Sequence, residues 1–205
     1  MLKAFISALA KRPSSAGVYN QYRDPEIVEN VRVYLEYLLD HRSSLLLVGE
    51  APGYKGCRLS GIPFTSGNIV STSLHPFFRQ CRTRLELKQV VSEATAKIFW
   101  EFLGKDKPLP ILWNAFPFHP FLPGFPESNR KPNREEIIEG LDFLRLLDGI
   151  FTPGWLAGVG RVGQDCLRQA YPGRNVVKIR HPARGGKREF QLGMVQLFTR
   201  LGVSQ

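Results

Sequence analysis

The sequence predicts an α/β fold, a three-layer α/β/α sandwich around a central, mainly parallel four-stranded sheet. Three observations carry that expectation: short all-apolar runs, helical-period stretches between them, and polar Gly/Pro-marked loops where the apolar runs stop. At 205 residues and 43% hydrophobic content, the chain suits a single domain, 1–205, with a sizeable core.

Taken in order, residues 1–20, with Lys11-Arg12-Pro13-Ser14-Ser15, read as a loosely held basic arm. Asp24-Pro25-Glu26 then supplies an N-cap, a proline at the first helical position and an acid in the first turn. Ile27, Val31, Tyr34, Leu35 and Leu38 recur at helical spacing, which predicts a helix to about Asp40. Leu45-Leu46-Leu47-Val48 is a buried strand, closed by the tight turn Gly49-Glu50-Ala51-Pro52-Gly53. After a loop to Gly67, a stretch broken by Pro76 predicts one or two helices, and Ser92 caps another through Leu103. Leu109 to Asn114 is a second strand, and Pro117, Pro120, Pro123, Pro126 and Pro132 exclude helix from the loop after it. Asn133-Arg134-Glu135-Glu136 has capping-box spacing and opens a helix to about Leu147. Gly154 to Gly160 and Asn175 to Ile179 complete the four strands, with a helix over about 162–171 between them and a last helix over about 190–201.

Charge narrows the partner. With 28 Lys and Arg against 18 Asp and Glu, the net charge is +10 and the isoelectric point about 9.8, which favours a polyanion such as nucleic acid. No segment is long and apolar enough to cross a membrane, and the N-terminus lacks a signal-peptide pattern, so no membrane partner and a cytoplasmic monomer are expected. Cys57, Cys81 and Cys166 are too few and too scattered for a disulfide framework or a zinc ribbon; no cofactor or metal is expected.

In a parallel sheet the strand ends share one edge, where ligands bind, so Glu50, Asn114 and His181 converge although they are distant in sequence. A carboxylate, an amide and an imidazole suit recognition of a base and cleavage of its glycosidic bond. Taken singly, each has a plainer explanation. Glu50 suits a solvated loop, Asn114 a turn, Phe64 the core and His181 a structural histidine.

The Gly-Glu-Ala-Pro-Gly turn, the Gly61-Ile62-Pro63-Phe64 segment, the strand ending in Asn114 and the His181-Pro182 loop occur in an order that resembles the uracil-DNA glycosylase superfamily. The resemblance implies DNA base-excision repair: a uracil or related deaminated base in DNA is flipped out and its N-glycosidic bond hydrolysed. It gives Phe64 the role of stacking platform, Asn114 that of reading the pyrimidine edge, and His181 that of stabilising the departing base. Glu50 would position or deprotonate the attacking water, or stabilise the oxocarbenium-like sugar electrostatically, with backbone at Gly49, Ala51 and Gly53 closing the pocket. The loop Arg180, Arg184, Gly185, Gly186, Lys187 and Arg188 would contact DNA, with Arg184 as the wedge that fills the gap.

Departures from the family pattern keep alternatives open. The best-known branch carries Asp where Ala51 stands and Tyr where Gly53 stands; the branch sharing the Gly-Glu-Ala-Pro-Gly turn carries four cluster-binding cysteines and a further acid near Gly56 and Cys57. A non-catalytic damage-binding module, a glycosylase for a thymine mismatch, hypoxanthine or xanthine, and an unrelated nucleotide-binding α/β enzyme therefore stand beside the uracil reading.

Overall fold

The computed structural model describes residues 1–203. Its strands are β1 (Val18–Tyr19), β2 (Leu45–Gly49), β3 (Ile111–Asn114), β4 (His119–Pro120), β5 (Trp155–Val159) and β6 (Val176–Ile179). Its helices are α1 (Leu2–Lys11), α2 (Pro25–Asp40), α3 (Cys57–Ser60), α4 (Gly67–Thr72), α5 (Pro76–Cys81), α6 (Ala94–Leu103), α7 (Arg134–Phe151), α8 (Gly160–Ala170) and α9 (Lys187–Arg200).

The sheet has the order β3-β2-β5-β6 and is parallel throughout, with Leu47 opposite Leu112 on one side and Ala157 on the other. Helices flank it, as the alternation of elements predicts. Every residue of β2 and β3 is buried, whereas edge strand β6 leaves Lys178 in solvent. α8 lies against β2, β5 and β6 and approaches unusually closely at Gly163, where a Cβ would stand 2.1 Å from the Val48 carbonyl oxygen. Only a residue without a side chain permits that contact.

Local chemistry sets the helix starts. Asp24 accepts from the Glu26 amide at 3.1 Å with Pro25 in the first turn of α2, as expected. Asn133 and Glu136 form the reciprocal capping box of α7, at 2.9 and 2.8 Å, and the helix continues past Leu147 to Phe151. The cap of α6 is Glu93 rather than Ser92: its carboxylate accepts from the Thr95 and Ala96 amides at 2.9 and 2.8 Å. α9 begins at Lys187, three residues before the expected start near Phe190, directly at the end of the basic loop.

The N-terminal segment is a docked helix and not a loose arm. α1 buries Phe5 and Leu9, one turn apart on one face, and sets Phe5 against Trp113 at a ring-centroid distance of 5.3 Å. Buried Asn20 closes the end of α1 by donating to the Leu9 and Arg12 carbonyls at 2.8 and 2.7 Å. Arg12 bonds Glu139 twice, at 2.8 and 3.2 Å, and lies over the Phe116 and Phe118 rings. Burying two large apolar side chains stabilises the docked helix by about 1.5–3 kcal/mol each, which outweighs solvation of a few basic side chains.

Candidate active site

The parallel register places Gly49 opposite Asn114, so the ends of β2 and β3 meet at one edge of the sheet. Two bonds extend the pairing beyond the strands, Ala115 N–H to Gly49 O at 2.9 Å and Phe116 N–H to Glu50 O at 3.1 Å. They fix the direction in which both chains enter their loops.

Phe64 reaches this edge from the loop after α3. Its φ of 55° lies in the left-handed region, a strained setting for an aromatic residue, held by Trp100 Nε1 donating to the Phe64 carbonyl at 3.1 Å. The ring stacks on Phe99 at 5.0 Å with planes 23° apart. A Cβ built on Gly49 would lie 2.6 Å from the Phe64 ring and 3.0 Å from Asn114 Oδ1, so ring, glycine and amide share one small volume. Phe64 is both a core residue and a wall of that volume.

Asn114 is 4% exposed, and its Nδ2 reaches only the Cys57 thiol, at a long 4.0 Å. Among the described residues no backbone group pairs with the amide, so the plain turn-forming explanation does not hold. A buried amide left in this state is costly unless something else satisfies it.

His181 follows β6 and packs against Gly160 at the start of α8, its Cβ 3.5 Å from where a glycine Cβ would stand. Its Nδ1 accepts from the Ala183 amide at 3.1 Å, so in the neutral ring the proton sits on Nε2. Burial lowers its pKa, opposed by Glu93 and reinforced by Arg180, which favours the neutral form. Glu50 is half-buried just past β2. Burial raises its pKa above the ordinary carboxylate value, against the pull of Lys131 and Arg184. Among the described residues no side chain or amide bonds its carboxylate.

Of the other predicted residues, Ala51 and Gly53 line the same turn, and a Cβ on Gly53 would meet no atom of the described residues within 4 Å. In the basic loop Arg184 has a left-handed φ of 54° and Gly185 one of 77°, and Arg184 and Arg188 project into solvent. Arg180 and Lys187 are engaged within the protein: Arg180 bonds the His181 carbonyl at 3.1 Å and Lys187 pairs with Glu101 at 2.9 Å.

A sequence profile described as the uracil DNA glycosylase superfamily matches residues 36–195. The chain belongs to that superfamily. Its members are DNA glycosylases, hydrolases that act on DNA. The crystal structure of wild-type SMUG2 from Pedobacter heparinus is similar to this chain, with a TM-score of 0.66 at 16% identity over 99% of both chains. At that identity the likeness speaks for the fold. No curated protein matches the chain.

An iron-sulfur cluster of the kind carried by some glycosylases of this superfamily does not fit the thiols present. Cys57, Cys81 and Cys166 lie on α3, α5 and α8, all buried and unbridged. Three thiols on three separate helices do not supply the four thiolates that such a cluster takes. Among the described residues no group of three or more His, Cys, Asp or Glu could hold a metal ion.

The structure adds residues to this candidate site that sequence reasoning missed. His119, fully buried, donates from Nδ1 to the Pro52 carbonyl at 2.8 Å and so braces the turn that carries Glu50. Glu93 faces His181 and Cys57 electrostatically from the start of α6. Lys131 does the same for Glu50. A polar His bracketed by Phe118 and Pro120 was the one local signal among these.

Proposed function

We propose that the protein flips uracil out of DNA and hydrolyses its N-glycosidic bond, releasing the free base and leaving an abasic site. One observation above all supports this reading: Asn114, a nearly buried amide without a backbone partner, stands at a strand end beside the Phe64 ring. Such an amide recovers its lost hydrogen bonds when a heterocycle edge enters.

In this reading Phe64 stacks on the flipped base, Asn114 Oδ1 accepts from N3–H and Nδ2 donates to O4. Cytosine reverses both groups and leaves the amide mispaired, a rejection worth up to about 10⁴-fold. Neutral His181 donates Nε2–H to O2 as the C1′–N1 bond breaks and its electron pair moves onto the base, delocalised over N1 and O2. A water oxygen bonds C1′, and its proton passes to Glu50 and on to solvent. Lys131 and Arg184 help keep the half-buried Glu50 carboxylate ionised for that step. Arg184 fills the space the base vacates, and Arg188 contacts phosphate.

The test is a duplex oligonucleotide with one uracil, incubated with the protein and then treated with alkali. Strand scission at the uracil is expected. Normal binding without scission would instead favour a non-catalytic damage-binding module, for which Ala51 is the supporting feature. A second reading, a glycosylase for another lesion, is favoured by the open space at Gly53, where nothing stands to block a 5-methyl group. Parallel duplexes with thymine mispairs, hypoxanthine and xanthine separate the two, and Gly53→Tyr narrows the spectrum toward uracil if the space is used.

A further inference from the structure

Beside the catalytic turn stands a second projecting loop, of which the chemistry above uses only Lys131 at its base. Residues 121–131 leave β4, reverse direction around Gly124, whose φ is +84°, and return toward α7. Phe125 at the tip is 68% exposed and neighbouring Leu122 50%; among the described residues no other phenylalanine is exposed.

The tip is rigid in spite of its exposure. Phe125 N–H donates to the Leu122 carbonyl at 2.8 Å, and the Phe125 carbonyl accepts from the Ser128 hydroxyl at 2.7 Å and the Ser128 amide at 3.1 Å. The Leu122 amide donates back to Ser128 Oγ at 2.9 Å. At the base, Arg130 holds the Phe121 carbonyl at 3.1 Å and grips Glu136 through two bonds of 2.6 and 2.7 Å.

The loop is also tied to the turn that carries Glu50. His119, one residue before Pro120, bonds Pro52 O, and the Tyr54 amide donates to Asn129 Oδ1 at 3.0 Å. Cations accompany it on that side: Arg58 reaches the Pro126 carbonyl at 3.5 Å, Lys131 faces Glu50, and Lys55 lies over the Tyr54 ring.

We propose that this loop is a second DNA-engaging finger, separate from the Arg184 loop, and that Phe125 stacks on a base flanking the flipped nucleotide. The identity of the partner rests on the glycosylase reading above. A solvent-facing aromatic ring on a loop already fixed by hydrogen bonds gives up little freedom on binding, and any base offers it a face. Apolar wedges beside a flipped or kinked step are an established way to hold opened DNA, and the neighbouring cations supply the phosphate attraction.

The experiment measures binding of the full chain to a duplex carrying a tetrahydrofuran abasic analogue, which needs no turnover. Phe125→Ala is expected to weaken binding by about 5- to 100-fold, the range of one lost base stack. Phe125→Trp is expected to bind within about twofold of wild type, with its added emission quenched by the duplex. Wild-type affinity in Phe125→Ala, with unquenched Phe125→Trp, overturns the finger. If uracil is cleaved while binding is indifferent to Phe125, the finger alone fails. Binding that depends on Phe125 without any cleavage supports the finger and removes the enzyme. A wild-type protein that binds no duplex overturns both.

Discussion

At the scale of single residues the site is a set of polar groups left incomplete by their own protein. Among the described residues Asn114 has no backbone partner and only a long contact to the Cys57 thiol, His181 presents Nε2–H, and Glu50 sits half-buried with a raised pKa. Asn114→Ala and His181→Ala are each expected to lower single-turnover cleavage of a uracil duplex by about 10²- to 10³-fold, with unchanged circular dichroism. Glu50→Gln separates chemistry from stability. A carboxyl whose folded pKa is raised costs the protein stability once ionised, above its ordinary titration range. Removing the charge should therefore raise the melting temperature at pH 7 while cutting turnover, and an unchanged or lower melting temperature would contradict the burial argument. The acid limb of wild-type activity has two sources. As pH falls, Glu50 protonates above the ordinary carboxylate range because burial raises its pKa, and His181 gains its charge only below the ordinary histidine range because burial lowers its own. Gly49→Ala tests the shared volume: its Cβ would sit 2.6 Å from a ring pinned by Phe99 and Trp100, so Phe64 must move. A displacement of that order is expected to cost about 10²-fold in turnover, together with a lower melting temperature from about 1–3 kcal/mol of overpacking.

At the scale of elements, local patterns were legible and distant contacts were not. The four strands, α2 and α7 announced themselves through apolar runs, helical spacing and caps, because those signals lie within a few residues of one another. α1 did not, since one buried pair, Phe5 and Leu9, carries its docking while the visible charge belongs to Arg12, which is itself anchored. The one-turn helix α3 escaped notice because four residues show no periodicity. At α6 the sequence favours Ser92, because Ser is among the preferred caps and Glu is not, and only the folded geometry shows that the Glu93 carboxylate accepts the amides. The capping box of α7 can be weighed directly. Asn133→Ala is expected to cost about 1 kcal/mol, a drop of about 2–4 °C in a thermal melt.

At the scale of the whole molecule, acid should lower the stability of the protein in two successive steps. His75, His119 and His181 all have pKa values lowered by burial, so the unfolded chain binds protons more readily than the folded one. Their contribution to stability is full above the ordinary histidine value of 6.5 and is lost as pH falls through their lower folded values. A second loss follows at lower pH. Burial pushes Glu136 up, but the bonds from Arg130 and the Asn133 amide pull harder and hold it below 4.5, so its contribution disappears as the carboxyl protonates. Denaturant midpoints measured from pH 8 to pH 3 should show both declines, and a flat profile between pH 7 and pH 5 would refute the histidine contribution.

By itself the sequence determined the parallel α/β sheet and the candidate residues Glu50, Phe64, Asn114 and His181. Strand burial and helix caps are written locally, and a parallel sheet places every strand end on one edge. Only the tertiary structure decided that Asn114 has no backbone partner among the described residues, that His119 braces the Glu50 turn, and that Glu93 and Lys131 face the site. Those facts depend on contacts between residues far apart in the chain, such as His119 with Pro52, 67 positions away, whose distances follow from packing and not from spacing.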